Sequence, residues 1–148
     1  HYIEATWFGI PIMKVNESHV NGNSHFEIPI IGTLDNDPST SQAANLAVWA
    51  EAAWFPSIWV TDPRVRWEPI DDHTALLFIP YKDQEENFVM RFNPDTGLLD
   101  SMEAIRFRDS GDQAKKILWI TRSMDGKNID GTKLNAVGSA TWLDQGIP

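Results

Sequence analysis

The segment WEPIDDHT groups Glu68, Asp71, Asp72 and His73 within one short stretch. Paired carboxylates beside an imidazole can hold a divalent cation or divide acid and base work between them, so the cluster is a candidate for metal-assisted hydrolysis. The same residues also suit a tight turn between two strands, because Asp bonds its own backbone there. His19 and His25 in SHVNGNSH form a second candidate pair. A two-residue turn at Asn21-Gly22 pairs His19 with Ser24 and Ser18 with His25. The two imidazoles then project from opposite faces of a ribbon and cannot share an ion. Both are expected as exposed residues beside a turn.

Other chemistries lack their residues. With no cysteine, disulfides, thiolate metal sites and Cys nucleophiles are excluded. SMDGKNIDGT lacks the ligand order and closing Glu of a calcium loop, and the phosphate-cradling, zinc-protease and nucleophile-elbow motifs do not occur. No catalytic residue, metal site or cofactor is assigned.

The other conspicuous segment is LAVWAEAAWFPSIW, with three tryptophans around a single charge, Glu51. Each indole can bury about 150–250 Å², which at ~25 cal/mol/Å² is roughly 4–6 kcal/mol before entropy. Leaving Trp49, Trp54 and Trp59 in water would forgo on the order of 10 kcal/mol, comparable to the net stability of a domain. They are therefore expected to be covered, either by the core or by a ligand held in an apolar cavity. On the second reading Trp49, Glu51, Trp54, Phe55, Trp59 and Trp67 are the candidate ligand-binding residues. Glu51 lies to the side of the apolar stripe, and an arginine partner is expected for it among Arg64, Arg66, Arg91, Arg106, Arg108 and Arg122.

The elements that must position these residues follow from the pattern. Residues 2 to 34 read as strands: YIEATWFG, IMKVNESHV and SHFEIPIIG are rich in β-branched and aromatic residues, and Asn21-Gly22 is a strong hairpin signal. One helix is expected near residues 39–54. Ser39 with Gln42 fits a capping box, and Asp37-Pro38 is a competing start. Leu46, Trp49, Ala50, Ala53 and Trp54 follow the spacing of a buried stripe, and Phe55 before Pro56 ends it. Beyond residue 64 a series of strands returns, separated by turn chemistry at Asp71-Asp72, KDQEE, Asn93–Gly97, Ser110–Asp112 and Asp125-Gly126. In ENFVMRF, alternation puts Phe88, Met90 and Phe92 on one face. The fold class is α+β: a curved antiparallel sheet, a half-barrel-like meander, wrapped around one central helix.

The chain has 148 residues, 42% hydrophobic and 22% charged, which suits one globular domain spanning 1–148. A net charge of −9, with only 12 scattered Lys and Arg, argues against nucleic acid or an anionic membrane surface as partner. No apolar run approaches the roughly 18 residues of a membrane span. The chain opens at His1 on a strand-like run and stops at WLDQGIP, so a fragment of a longer chain, truncated at both ends, is expected. Composition leaves compartment and oligomeric state open.

Several phrases occur together in a way that is similar to an uncharacterised prokaryotic domain-of-unknown-function family: ANLAVWAEAAWFPS, VRWEPIDDHTALLFI and FVMRFNPDTGLLDSMEAIRFR. The resemblance rests on Ala50-Glu51 followed by Trp54-Phe55-Pro56, then Trp67-Glu68, Ile70 and Asp71-Asp72. It implies longer relatives, some with an amino-terminal membrane anchor, and no known chemistry. The expected sheet around a helix is loosely similar to lipoprotein-carrier half-barrels. These readings converge on a non-enzymatic binding domain for a hydrophobic or lipid-like small molecule. The metal-assisted hydrolase and a structural or protein-interaction module are the alternatives.

Overall fold

A computed structural model describes residues 2–28, 32–35 and 37–144; parts of the expected strand SHFEIPIIG and of the terminal WLDQGIP lie outside them. The described chain is α+β and antiparallel throughout its sheets. Strands β1 (Tyr2–Trp7), β2 (Ile10–Val20), β3 (Asn23–Ile28) and β4 (Gly32–Asp35) form one meander in that order. Helix α1 (Pro38–Glu51) and a one-turn helix α2 (Ile58–Thr61) follow. A second meander then runs β5 (Arg66–Asp71), β6 (Thr74–Tyr81), β7 (Gln84–Phe92), β8 (Leu99–Arg108), β9 (Lys115–Ile129) and β10 (Thr132–Leu143), each strand beside its predecessor. There are thus two open sheets where a single bent one was expected. The chain leaves β4 directly into the helix, and α1 packs against both sheets, touching β2 and β3 of the first and β6 and β8 of the second.

The first hairpin forms as its residues dictate. Asn21 and Gly22 both take positive φ, 51° and 76°, and the ladder pairs His19 with Ser24 and Ser18 with His25. The last hairpin differs from expectation. Strand β9 runs through Asp125-Gly126 and turns at the second Asp-Gly pair, Asp130-Gly131. The first pair instead lies opposite a register shift in β10, the usual place for a glycine inside a strand.

Helix α1 starts at the Asp37-Pro38 signal and not at the Ser39–Gln42 capping box. Proline at the first helical position sacrifices no hydrogen bond, and the Asp37 carboxylate accepts from the Thr40 backbone N–H at 2.8 Å and from the Ser39 and Thr40 hydroxyls. These bonds, led by that from Ser39, hold the Asp37 carboxyl below the usual carboxylate range. At the other end a 3-10 turn over Ala52–Trp54 leads to Phe55, which leaves the helical region (φ −135°, ψ 60°) before Pro56.

Leu46, Leu77, Ile79, Phe88 and Met90 are fully buried and form the centre of the core with Trp49, Trp59 and Trp119. Three residues of the expected stripe, Leu46, Trp49 and Ala50, lie in it. The indoles also stitch elements together: Trp59 Nε1 donates to the Trp49 carbonyl at 3.3 Å, and Trp67 Nε1 to the Trp59 carbonyl at 2.9 Å.

The amino-terminal half of α1 is buried by polar means. Ser39, Ser41, Gln42 and Asn45 are all buried, and each needs partners there. Strands β7 and β8 pair only as far as Val89–Glu103, and β8 continues beyond that point against β9 alone. Gln42 fills the gap. Its Nε2 donates to the Ile105 carbonyl at 3.0 Å, and its Oε1 accepts from the Phe107 N–H at 3.1 Å. One helix amide thus bonds the strand as a neighbouring strand would.

Facing the first sheet, Ser41 Oγ accepts from the Ser24 N–H at 3.2 Å, and Ser24 Oγ lies 2.8 Å from His19 Nδ1. Asn45 bonds His19 and donates to the Pro80 carbonyl of β6 at 3.2 Å. His19 is therefore half-buried rather than exposed, and this burial pushes its pKa below the ordinary 6.5. The unfolded chain protonates near 6.5 and the folded chain only at lower pH, so acid favours the unfolded form in between. Thermal stability should decline as pH falls through that window, and His19→Gln should flatten the decline. Melting temperatures between pH 7.5 and 5.5 (a range of roughly one unit either side of the ordinary His value) check this.

Candidate functional site

A cleft of about 320 Å³ lies between the carboxy-terminal half of α1 and strands β8 to β10. The helix contributes small side chains, Ala47, Ala50 and Ala53, together with Glu51 and Trp54. These small residues keep the helix from filling the space. Across from them, Met102 of β8 pairs with Thr121 of β9, which pairs with Ala140 of β10, so the three stand in one row on one face. Ala104, Trp119 and Trp142 form the next row on that face. Trp119 therefore stands beside Thr121 in the cleft wall.

The rim on β10 is shaped by a bulge. The register slips on both sides of Val137, and Val137, Gly138, Ser139 and Ala140 all border the cleft. Bulges redirect side chains and bend strands, and they concentrate at sites. Gly138 is required by packing, because a Cβ there would stand 2.9 Å from the Arg122 carbonyl oxygen. Strand backbone would have to move to admit it. Gly138→Ala should lower the unfolding free energy by about 1–3 kcal/mol, read from urea denaturation.

Two polar groups give the cleft its chemistry. The Thr121 hydroxyl oxygen is buried and has no hydrogen-bond partner among the described residues. A buried polar atom in that state is costly, and a bound group would complete it. Glu51 is half-buried on the helix side, and burial, followed by the negative charge of Glu17, raises its carboxyl above the ordinary carboxylate value. On the same face, one row beyond Ala104, Arg106 lies over the rings of Trp119 and Trp142, at 4.5 and 5.1 Å from their centroids, and its Nε donates to the Ala43 carbonyl at 2.9 Å. Burial lowers its pKa from the ordinary arginine value. This stack fixes Trp119 against the sheet and ties the sheet to α1.

Of the six residues expected to face a ligand, Glu51 and Trp54 line the cleft. Trp49 and Trp59 are core residues, Trp67 packs half-buried against the core, and Phe55 is exposed after the helix ends. Trp119, Met102 and Thr121 were not among the expected ligand-binding residues, since no local pattern shows that β8 and β9 face the end of α1. Among the arginines offered to Glu51, Arg64 pairs with Asp62, Arg66 with Glu68 and Glu85, Arg91 with Glu103, and Arg108 with Asp109 and Asp144. Arg122 borders the same cleft as Glu51.

The acidic cluster sits on an exposed turn. Asp71 accepts from the His73 N–H at 2.8 Å, which lowers its carboxyl pKa, and Glu68 pairs with Arg66. Among the described residues no three His, Asp or Glu side chains are grouped closely enough to hold a metal ion. Nor is any described helix long and apolar enough to cross a membrane.

Fold and cleft together define an α+β architecture in which two open antiparallel meanders flank one main helix and leave an apolar cleft at its end. The chain belongs to the family of unknown function DUF6544, whose model matches residues 1–147, a longer span than the phrases around residues 40–125 that first pointed to such a family. No curated protein and no solved structure matches the chain.

Proposed function

We propose that this domain is a non-enzymatic binding module that holds a small hydrophobic or lipid-like molecule in the cleft between α1 and strands β8–β10. The observation that carries the reading is an apolar cleft containing a buried hydroxyl, Thr121 Oγ1, left without a partner among the described residues. Small-molecule sites are mostly apolar, with a few placed polar groups and volumes of roughly 300–1,000 Å³, and this cleft is at the small end of that range. Trp54 and Trp119 offer flat apolar surface to the ligand body, and the small residues of α1 and β10 leave room for it.

Native mass spectrometry of the protein made in cells tests the reading, alongside titration with 1-octanol as a neutral apolar probe. A retained small-molecule mass or saturable octanol binding is expected. Both should be lost in Ala53→Trp, which puts an indole into the cleft. Absence of retained mass and of octanol binding, or octanol binding equal in the variant, would remove the cleft as the site.

A further inference from the structure

We propose that the β1–β2 hairpin is a membrane finger that rests its apolar tip in the headgroup region of a zwitterionic lipid bilayer. This goes beyond the cleft and does not rest on it. The tip is the run WFGIPIM, Trp7 to Met13, which contains no charged side chain. Trp7, Phe8, Ile10, Ile12 and Met13 are all exposed, Phe8 at 91%. Contiguous exposed apolar surface of this kind marks interaction sites. Below the tip, Glu4 and Lys14 face each other across the ladder and pair at 3.4 Å. The finger is thus apolar at its end and charged at its collar. Three strand positions, about 10 Å, separate Glu4 from Trp7, which matches the depth of the boundary between headgroups and acyl chains.

The turn itself is built at a cost. Phe8 takes φ 49° and Gly9 takes 79°, between the paired Trp7 and Ile10. The left-handed region disfavours a bulky side chain, and the β2–β3 turn reaches the same shape with the favoured Asn21-Gly22. Phe8 therefore holds a strained backbone with its ring in water, edge-on to Trp7 at 5.3 Å between centroids. Strain collects where a side chain is required at a set place.

Shape and charge select the occupant. The β2 pairing with β3 starts only at Asn16, so from Ile10 to Val15 the described ladder of β2 is with β1, itself an edge strand. Exposure is unbroken from Trp7 to Lys14, and successive strand side chains point to opposite faces, so both faces of the finger are open. A docked protein covers one face of a ribbon, whereas a lipid interface closes around it. The finger's outer edges carry backbone groups without ladder partners among the described residues, and these need water or headgroups. The tip therefore stops at the interface, where tryptophan is favoured. A net charge of −9 is repelled by anionic lipid, which leaves a zwitterionic surface.

Co-sedimentation of the chain with phosphatidylcholine vesicles tests the proposal. Binding is expected, with no gain on adding phosphatidylglycerol. Phe8→Asn should lower partitioning by roughly ten-fold, the effect of withdrawing one large apolar side chain. Its melting temperature should stay the same or rise, because Asn-Gly suits the turn. A merely structural Phe8 would move both readouts downward together. Lipids brominated on the acyl chain should quench the native protein more strongly than Trp7→Phe. No binding to phosphatidylcholine, binding that requires phosphatidylglycerol, or equal partitioning of Phe8→Asn would overturn the proposal. So would a dimer in light scattering that Phe8→Asn dissolves, which would assign the tip to a second copy of the chain. Octanol binding in the cleft should be unchanged in Phe8→Asn, so the two sites fail separately.

Discussion

Trp49→Ala should lower the unfolding free energy by about 3–5 kcal/mol, the usual cost of truncating a large buried aromatic. For a chain of this length that is a fall in melting temperature of roughly 6–20 °C. Trp49 is 8% exposed, belongs to the core cluster, and its carbonyl accepts the Trp59 indole N–H. Trp54, five positions on, is 53% exposed and borders the cleft. Trp54→Ala should therefore cost about half as much or less, by area removed from water, and should weaken octanol binding. Urea denaturation of both variants, with the octanol titration, checks the contrast. Equal losses of stability would mean that the helix end is packed differently from the arrangement described here.

The second large effect is expected at a polar residue. Gln42→Leu keeps the approximate size of the side chain but strands the Ile105 carbonyl and the Phe107 N–H, neither of which has a β7 partner at that point. Each unsatisfied group of this kind costs about 1–3 kcal/mol, so a total of about 2–6 kcal/mol is expected. Gln42→Glu separates the two bonds. Its carboxylate still accepts from Phe107 but turns an acceptor toward the Ile105 carbonyl, and only the protonated acid can donate there. The introduced carboxyl should therefore titrate above its unfolded value, and the variant should lose stability as pH rises through that raised value. Denaturation midpoints at acid and neutral pH read this directly. A loss in Gln42→Leu under about 1 kcal/mol would mean that water replaces the amide at little cost.

These two residues also mark what sequence can and cannot reveal. The stripe through Leu46, Trp49 and Ala50 was legible because apolar spacing reports burial without knowledge of what covers it. So were the register at Asn21-Gly22, the Phe88–Met90 face and the helix end at Phe55-Pro56, each set by local sterics. The stripe failed at its end. Trp54 lies in a 3-10 turn, which advances about 120° per residue in place of 100° and carries the indole off the buried line. The buried Ser41, Gln42 and Asn45 were invisible for a different reason. Their partners lie on strands brought from elsewhere in the chain, 63 and 65 positions away in the case of Gln42, so nothing nearby marks them as interior. The cleft was half legible: its helical wall contains the expected Glu51 and Trp54, whereas its strand wall depends on which rows of β8, β9 and β10 meet the helix. Two Asp-Gly pairs competed for one hairpin, and local turn chemistry does not rank them.

The Gln42 amide also makes the helix a timekeeper for one strand. An amide hydrogen inside a ladder ordinarily exchanges with solvent when its neighbouring strand frays. That of Phe107 is guarded by a side chain, so deuterium enters only when α1 swings away from β8. Its labelling rate should follow the detachment of the helix, independent of the opening that governs Met90 opposite Met102 on the intact part of the same seam. One backbone position thereby reports how often the two meanders lose the rod that joins them.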